Sequence, residues 1–200
     1  MNLKEFVGKY GEKYSERLGI KLEEEPFKWF LAALLFGAPI REENAIKTYM
    51  VFKKNGLTEP EKILKAGWDA VVSYLDEGGY TRYDFKTADK IMEACKNIIK
   101  KGGMKKILER KDLRKELKLA RGIGDVTIDI FLREMGMPHK ISKYALMAAK
   151  NHGLLDGNEI KKIKGIDAIE LEIALMKLGR DYCRKNKCRE CPMPCKAKGL

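Results

Sequence analysis

Glutamine is missing altogether from this chain of 200 residues, and histidine occurs only twice. With charged residues at 35% and lysine abundant, the lack of that thermolabile amide leans the composition toward a thermophile. No run of about eighteen apolar residues occurs, so no membrane-spanning helix is expected. The N-terminal segment MNLKEFVGKYGEKYSERLG is amphipathic and mixed in charge, unlike a signal peptide, and a cytoplasmic protein is expected. Alternation with period two is absent through residue 100, so the class reads as all-α. There is no internal repeat and no low-complexity segment. Between Met135 and Leu155 there is not one Asp or Glu.

What is present is a core and a charge. Hydrophobic residues at 44% suffice for one domain or two small ones, which excludes disorder as the default. The net charge of +12 attracts polyanions through counterion release. Charge alone leaves DNA, RNA and a membrane surface open.

The periodicity predicts a chain of short helices. Leu3, Phe6, Val7, Tyr10 and Tyr14 stand at helical spacing over residues 3 to 17. PFKWFLAALLFGAPI is apolar nearly all round, starts well at Pro26 and ends at Gly37 and Pro39, so it should be central. Helices follow over 42–54, 59–65 and 68–75, and Asp84 is placed to cap one running to about Lys100, with Gly102 and Gly103 as its stop. Further helices are expected over 141–150 and 168–182, with a loop over 151–158 between them. Cys95 falls on a helix face and reads as a small buried residue.

The stretch that organises these elements is LARGIGDVTIDIFLREMG, from Leu119 to Gly136. A Gly122-Ile123-Gly124 turn between a basic apolar segment and a periodic apolar run suggests two helices joined by a hairpin. Glycines permit positive φ and close approach, so the turn amides and the first amides of the next helix can face a phosphate. The alternative is a C-cap glycine followed by a second turn glycine. Eleven Lys or Arg between Lys96 and Arg121, against Glu109, Asp112 and Glu116, account for eight of the twelve net charges. They form either a phosphate-facing strip or a solvated helix face. Asp125 would repel an anion there unless its side chain caps the helix, which is the preferred reading.

Four of the five cysteines close the chain in CRKNKCRECPMPC: Cys183, Cys188, Cys191 and Cys195, spaced C-x4-C-x2-C-x3-C. In a reducing compartment such a set points to a metal centre rather than disulfides. Arg184, Lys185, Lys187, Arg189, Lys196 and Lys198 surround them and favour thiolates. Zinc binds four cysteines, usually on two separated C-x2-C knuckles; a [4Fe-4S] cube fits one tight loop better. His139 and His152 have no partner visible in the sequence.

The glycine hairpin and the four C-terminal cysteines, in that order, resemble the endonuclease III family, the helix-hairpin-helix DNA glycosylases with a C-terminal [4Fe-4S] cluster. PFKWFLAALLFGAPI is similar to the family's first barrel helix, LARGIGDVTIDIF to its hairpin and LGRDYCRKNKCRECPMPCKAK to its cluster loop. The resemblance implies a six-helix barrel over 23–137 and a cluster domain formed by 1–22 and 138–200. It implies a monomeric base-excision repair protein on double-stranded DNA, in which a damaged nucleotide flips out and its glycosidic bond is cut. The implied DNA contacts are Arg121, Gly122, Ile123, Gly124, Val126 and Thr127, and the implied cluster ligands are the four cysteines.

The chain departs from the family at the chemistry. Val126 stands where bifunctional members carry the nucleophilic lysine, and Ser142 where the catalytic aspartate is expected. Ala38 and Pro39 replace the residue that fills the gap left by a flipped base. Lys143 is the replacement amine nucleophile considered first, with Lys140 second; Asp129, one turn beyond Asp125, is a further polar group there, and the alternative for each is a structural residue or a DNA contact. The readings are a divergent glycosylase or abasic-site lyase, a non-catalytic lesion or structure recogniser, and, less supported, an electron-transfer protein.

Overall fold

A computed structural model describes residues 1–193 and 195. In chain order the helices are α1 (Leu3–Tyr10), α2 (Tyr14–Arg17), α3 (Pro26–Phe36), α4 (Glu42–Lys54), α5 (Pro60–Ala66) and α6 (Trp68–Gly78). They continue with α7 (Asp84–Lys100), α8 (Met104–Leu108), α9 (Leu113–Glu116), α10 (Asp125–Glu134), α11 (Lys143–Asn151) and α12 (Ala168–Asp181). Among the described residues the one sheet is a two-residue antiparallel pair, β1 (Leu155–Asp156) with β2 (Glu159–Ile160). The protein is all-α. The expected loop over 151–158 is corrected to that extent.

The chain divides into two compact units: a middle unit, Leu18–Met135, and a terminal unit, Met1–Arg17 with Gly136–Leu200. In the middle unit α3 is central because it is apolar on every side, and eight of its eleven residues are buried. Trp29 is fully buried and donates its indole N–H to the Phe131 carbonyl at 3.0 Å, which ties α3 to α10. Phe30 meets the edge of Phe131 with ring centroids 5.8 Å apart. Burying such an aromatic contributes about 2–3 kcal/mol. At Gly37, where α3 ends, an added Cβ would fall 2.1 Å from the Thr127 hydroxyl, so only glycine lets the start of α10 come this near.

Helix α7 buries Thr87, Ala88, Ile91, Ala94, Cys95 and Ile98 along one stripe. The expectation that Asp84 caps α7 is corrected: Tyr83 holds the cap position without a side-chain bond, and the Asp84 carboxylate accepts from the amide of Phe85 at 2.7 Å. Two short helices absent from the sequence reading, α8 and α9, lie in the basic stretch, where apolar residues are too few to show a period.

In the terminal unit α1 lies against α12, with Phe6 and Val7 among Ala145, Ala148, Leu171, Ala174, Leu175 and Leu178. A capping box starts α1: Asn2 Oδ1 accepts from the Glu5 amide at 2.9 Å, and Glu5 accepts from the Asn2 amide at 3.1 Å. The helix expected over 3–17 breaks at Gly11, where an added Cβ would lie 2.6 Å from the Glu170 carbonyl oxygen. Asp167 starts α12 by accepting from the amides of Ile169 and Glu170.

Helix α12 crosses α11 backbone to backbone at Gly179, whose added Cβ would meet the Tyr144 carbonyl oxygen at 2.0 Å. Gly8, within α1, has nothing within 4 Å of that position. Gly179→Ala should therefore destabilise by about 1–3 kcal/mol through overpacking, and Gly8→Ala should stabilise by about 0.5–1 kcal/mol through helix propensity. Urea midpoints of the two variants, moving in opposite directions from wild type, check both.

Candidate nucleic-acid interface and cysteine loop

In the middle unit the hairpin is seated by its apolar residues. Leu117, Leu119, Ala120, Ile123 and Ile128 are buried, whereas Arg121, Gly122, Gly124, Asp125 and Val126 are exposed. The two glycines do different work. Gly122 stands at φ +86°, a left-handed backbone, with the Lys90 side chain 2.7 Å from where a Cβ would be. Gly124 is extended, at φ −95° and ψ 176°, and faces open space. Its role is to have no side chain.

Gly124 is the N-cap of α10, and no side chain caps that helix. The first amides of α10 therefore have no side-chain cap at the positive end of the helix dipole. They border a recess of about 270 Å³ lined by Leu34, Gly37, Ala38, Thr87, Lys90 and residues 122–127. Of the expected contacts, Gly122, Ile123, Gly124, Val126 and Thr127 line it, and Arg121 precedes it. Val126 is 65% exposed, while Thr127 is buried against Gly37.

One face of α7 holds the entry to the hairpin. Asn97 Nδ2 donates to the Leu119 carbonyl at 2.7 Å, Glu93 accepts from the Arg121 amide at 3.0 Å, and Lys90 runs beneath Gly122. Lys90, Glu93 and Asn97 are spaced three and four residues apart, so they share a face. Sequence reading missed this set. Its signal was a polar stripe on a helix whose other face carries the apolar period.

The reading of Asp125 as the cap is corrected. It sits inside the first turn of α10, and its carboxylate lies 3.6 Å from Arg114 and 4.0 Å from Lys118. Arg114 also pairs with Asp129 at 2.7 Å. Glu116 takes up Lys101 at 2.5 Å and Arg110 at 2.9 Å, and Lys101 first among them holds its carboxyl below the usual range. Four of the eleven cations are thus spent on carboxylates. Lys96, Lys100, Lys105, Lys106, Lys111, Lys115 and Arg121 are all exposed and make no ion pair among the described residues.

The terminal unit carries the four cysteines of the loop, together with Ser142 and Lys143. Ser142 is the N-cap of α11, accepting from the Tyr144 amide at 3.3 Å, so its hydroxyl is engaged in holding a helix. Lys143 is exposed, with Nζ 5.2 Å from the centre of the Tyr144 ring. Arg184 lies 5.3 Å from the same ring and donates to the Tyr144 hydroxyl at 3.1 Å.

Two turns of 3-10 helix, Cys183–Lys185 and Cys188–Glu190, carry the first two cysteines of the loop. All four of its thiols are free and partly exposed. Burial pushes the Cys183 and Cys191 thiols up, and the neighbouring thiols Cys188 and Cys195 add to this for both. Among the described residues no group of three or more His, Cys, Asp or Glu is arranged to hold a metal ion. Lys187 pairs with Glu190 at 3.1 Å and Lys185 with Asp181 at 3.9 Å. Lys196 and Lys198, counted with the basic set, lie outside the described residues.

Both histidines have partners, which corrects the sequence reading. His139 faces the Met137 carbonyl at 2.9 Å and the Glu172 carboxylate at 2.8 Å. His152 faces the carbonyls of Ala148 and Met193, each at 2.7 Å, and so ties the cysteine loop to α11. Set against protein-family models, curated proteins and solved structures, the chain matches none of them.

Cys95 differs from the loop cysteines. It is 1% exposed in the middle unit, and burial pushes its thiol up to about 12. Alkylation requires the thiolate, so at pH 8 iodoacetamide should leave Cys95 unmodified until the protein is unfolded in denaturant. Peptide mapping by mass spectrometry reads this out, and rapid labelling of native Cys95 would contradict its burial.

Proposed function

We propose that this chain is a DNA-binding base-excision repair protein of the endonuclease III kind, with the middle unit as its six-helix barrel and the terminal unit as its cluster domain. The observation that carries the reading is the uncapped N-terminus of α10, exposed at Gly124 and held on α7, in the same unit as seven exposed, unpaired cations. First-turn amides without a side-chain cap can seat a phosphate, and exposed lysines supply counterion release without reading sequence. Lys90, beneath Gly122 and lining the same recess, is the further cation best placed to meet that phosphate.

Within this reading the protein acts as a divergent glycosylase or abasic-site lyase on damaged duplex DNA, with Lys143 the first candidate for the amine. A second reading, a lesion or structure recogniser without chemistry, has its own support. Val126 is an exposed apolar side chain where an amine nucleophile is needed, and the Ser142 hydroxyl is occupied as a helix cap. Neither supplies a fixed negative charge for an oxocarbenium-like transition state.

The cofactor of this reading is a [4Fe-4S] cluster held by Cys183, Cys188, Cys191 and Cys195. Its support is the donor set: four thiols within thirteen residues of one loop, the soft ligands such a cluster takes, with Cys183 and Cys191 pushed up by burial first and by the neighbouring thiols second. When bound, the cluster supplies a structural clamp on the loop and a redox centre. Protein purified without oxygen should be brown, with about four irons per chain; a colourless protein with one zinc would overturn the assignment.

For the hairpin, Gly122→Val forces a β-branched residue into a left-handed backbone and onto Lys90. It should weaken duplex affinity by about tenfold or more, the worth of one charge-assisted hydrogen bond, with helix content retained. Unchanged affinity would place DNA elsewhere. A panel of duplexes carrying uracil, oxidised and alkylated bases, mismatches and abasic sites, with and without borohydride, separates the activities. A trapped covalent adduct establishes a lyase, base release without trapping a monofunctional glycosylase, and tight binding without reaction the recogniser. No binding to any duplex would end the proposal.

A further inference from the structure

Asp125 is the feature of the hairpin that works against an anion, and Asp129 stands four residues along, on the same face of α10. Arg114, on α9, reaches both: Nη1 lies 2.7 Å from Asp129 Oδ1 and Nη2 lies 3.6 Å from Asp125 Oδ1. Lys118 adds a weaker contact to Asp125 at 4.0 Å. In the sequence these two cations belong to the basic strip, and nothing there sets them apart from the other nine. In the folded unit they are already bonded across to α10.

We propose that Arg114 is a positioning residue of the DNA grip: it holds the carboxylates of Asp125 and Asp129 against α9, masks their charge beside the α10 N-terminus, and does not itself contact DNA. The inference rests on the reading of the hairpin as the DNA-binding element. A guanidinium fork spans two carboxylates, whereas an ammonium is a point charge, so lysine at 114 keeps the charge without the span. With Arg114 removed, its guanidinium no longer offsets the two carboxylates, one helical turn apart, beside the phosphate that the first amides of α10 would seat.

The test is duplex affinity, measured by fluorescence anisotropy across a series of salt concentrations. The proteins are wild type, R114Q, R114K, D125N/D129N and R114Q/D125N/D129N, each checked for folding by circular dichroism. R114Q should lose about tenfold at every salt, with the slope of log K against log salt unchanged, because no phosphate contact is lost. R114K should recover only part of that loss. Neutralising both aspartates should gain more in the R114Q background than in wild type, a positive coupling in the double-mutant cycle. A slope reduced in magnitude by about one would make Arg114 an ordinary phosphate contact. Equal gains from the aspartate changes in both backgrounds would remove the masking role. Either result overturns the inference while leaving DNA binding intact, whereas wild-type protein that binds no duplex overturns the underlying reading and the inference with it.

Discussion

The hydrogen bond from the Trp29 indole to the Phe131 carbonyl joins residues 102 apart in sequence, and the candidate interface depends on it. A helix N-terminus is useful to an anion only if the rest of that helix is immobile. Trp29 and Phe30 grip α10 at Phe131, and the Gly37–Thr127 contact sets its first turn against the end of α3. The face of α7 formed by Lys90, Glu93 and Asn97 then fixes the strand of chain that enters the turn. Gly124 can stay bare because no part of the seating relies on it.

Charge in the middle unit is partitioned rather than merely accumulated. Glu116, Asp125 and Asp129 bind four of the cations around the hairpin and leave seven on the surface. Of the paired set, Arg114 lies on α9, while Lys101 and Arg110 flank α8, which is seated by its buried Met104 and Ile107. The unpaired set is what a polyanion would meet. A count of lysines and arginines overstates the second set by including the first.

The terminal unit combines close backbone contact with a core of Phe6, Val7, Leu171, Leu175 and Leu178. Alanines 145, 148, 149 and 174 fill much of its core, and Gly11 and Gly179 let α12 approach α1 and α11 to distances that any Cβ would block. His139 and His152 staple segments that lack regular structure, one to α12 and the other between α11 and the cysteine loop. Each joins residues far apart in the chain, 33 for His139 with Glu172 and 41 for His152 with Met193.

Helix positions were legible because apolar residues recur at their period: α3 from a run apolar on every side, α4 to its ends, and α12 within a residue. The turn at Gly122 was likewise readable, since it is a property of a few neighbouring residues. The tertiary structure alone decided that Gly122 needs its left-handed backbone while Gly124 needs only open space. It also decided that Asp125 is an ion-pair partner rather than a cap, that Ser142 is a cap, and that Lys90 lies under the hairpin. The physical reason is range. Periodicity, caps and turn preferences act within about a turn of chain, whereas a carboxylate chooses among cations, and a histidine among carbonyls, only after folding has brought distant segments within bonding distance.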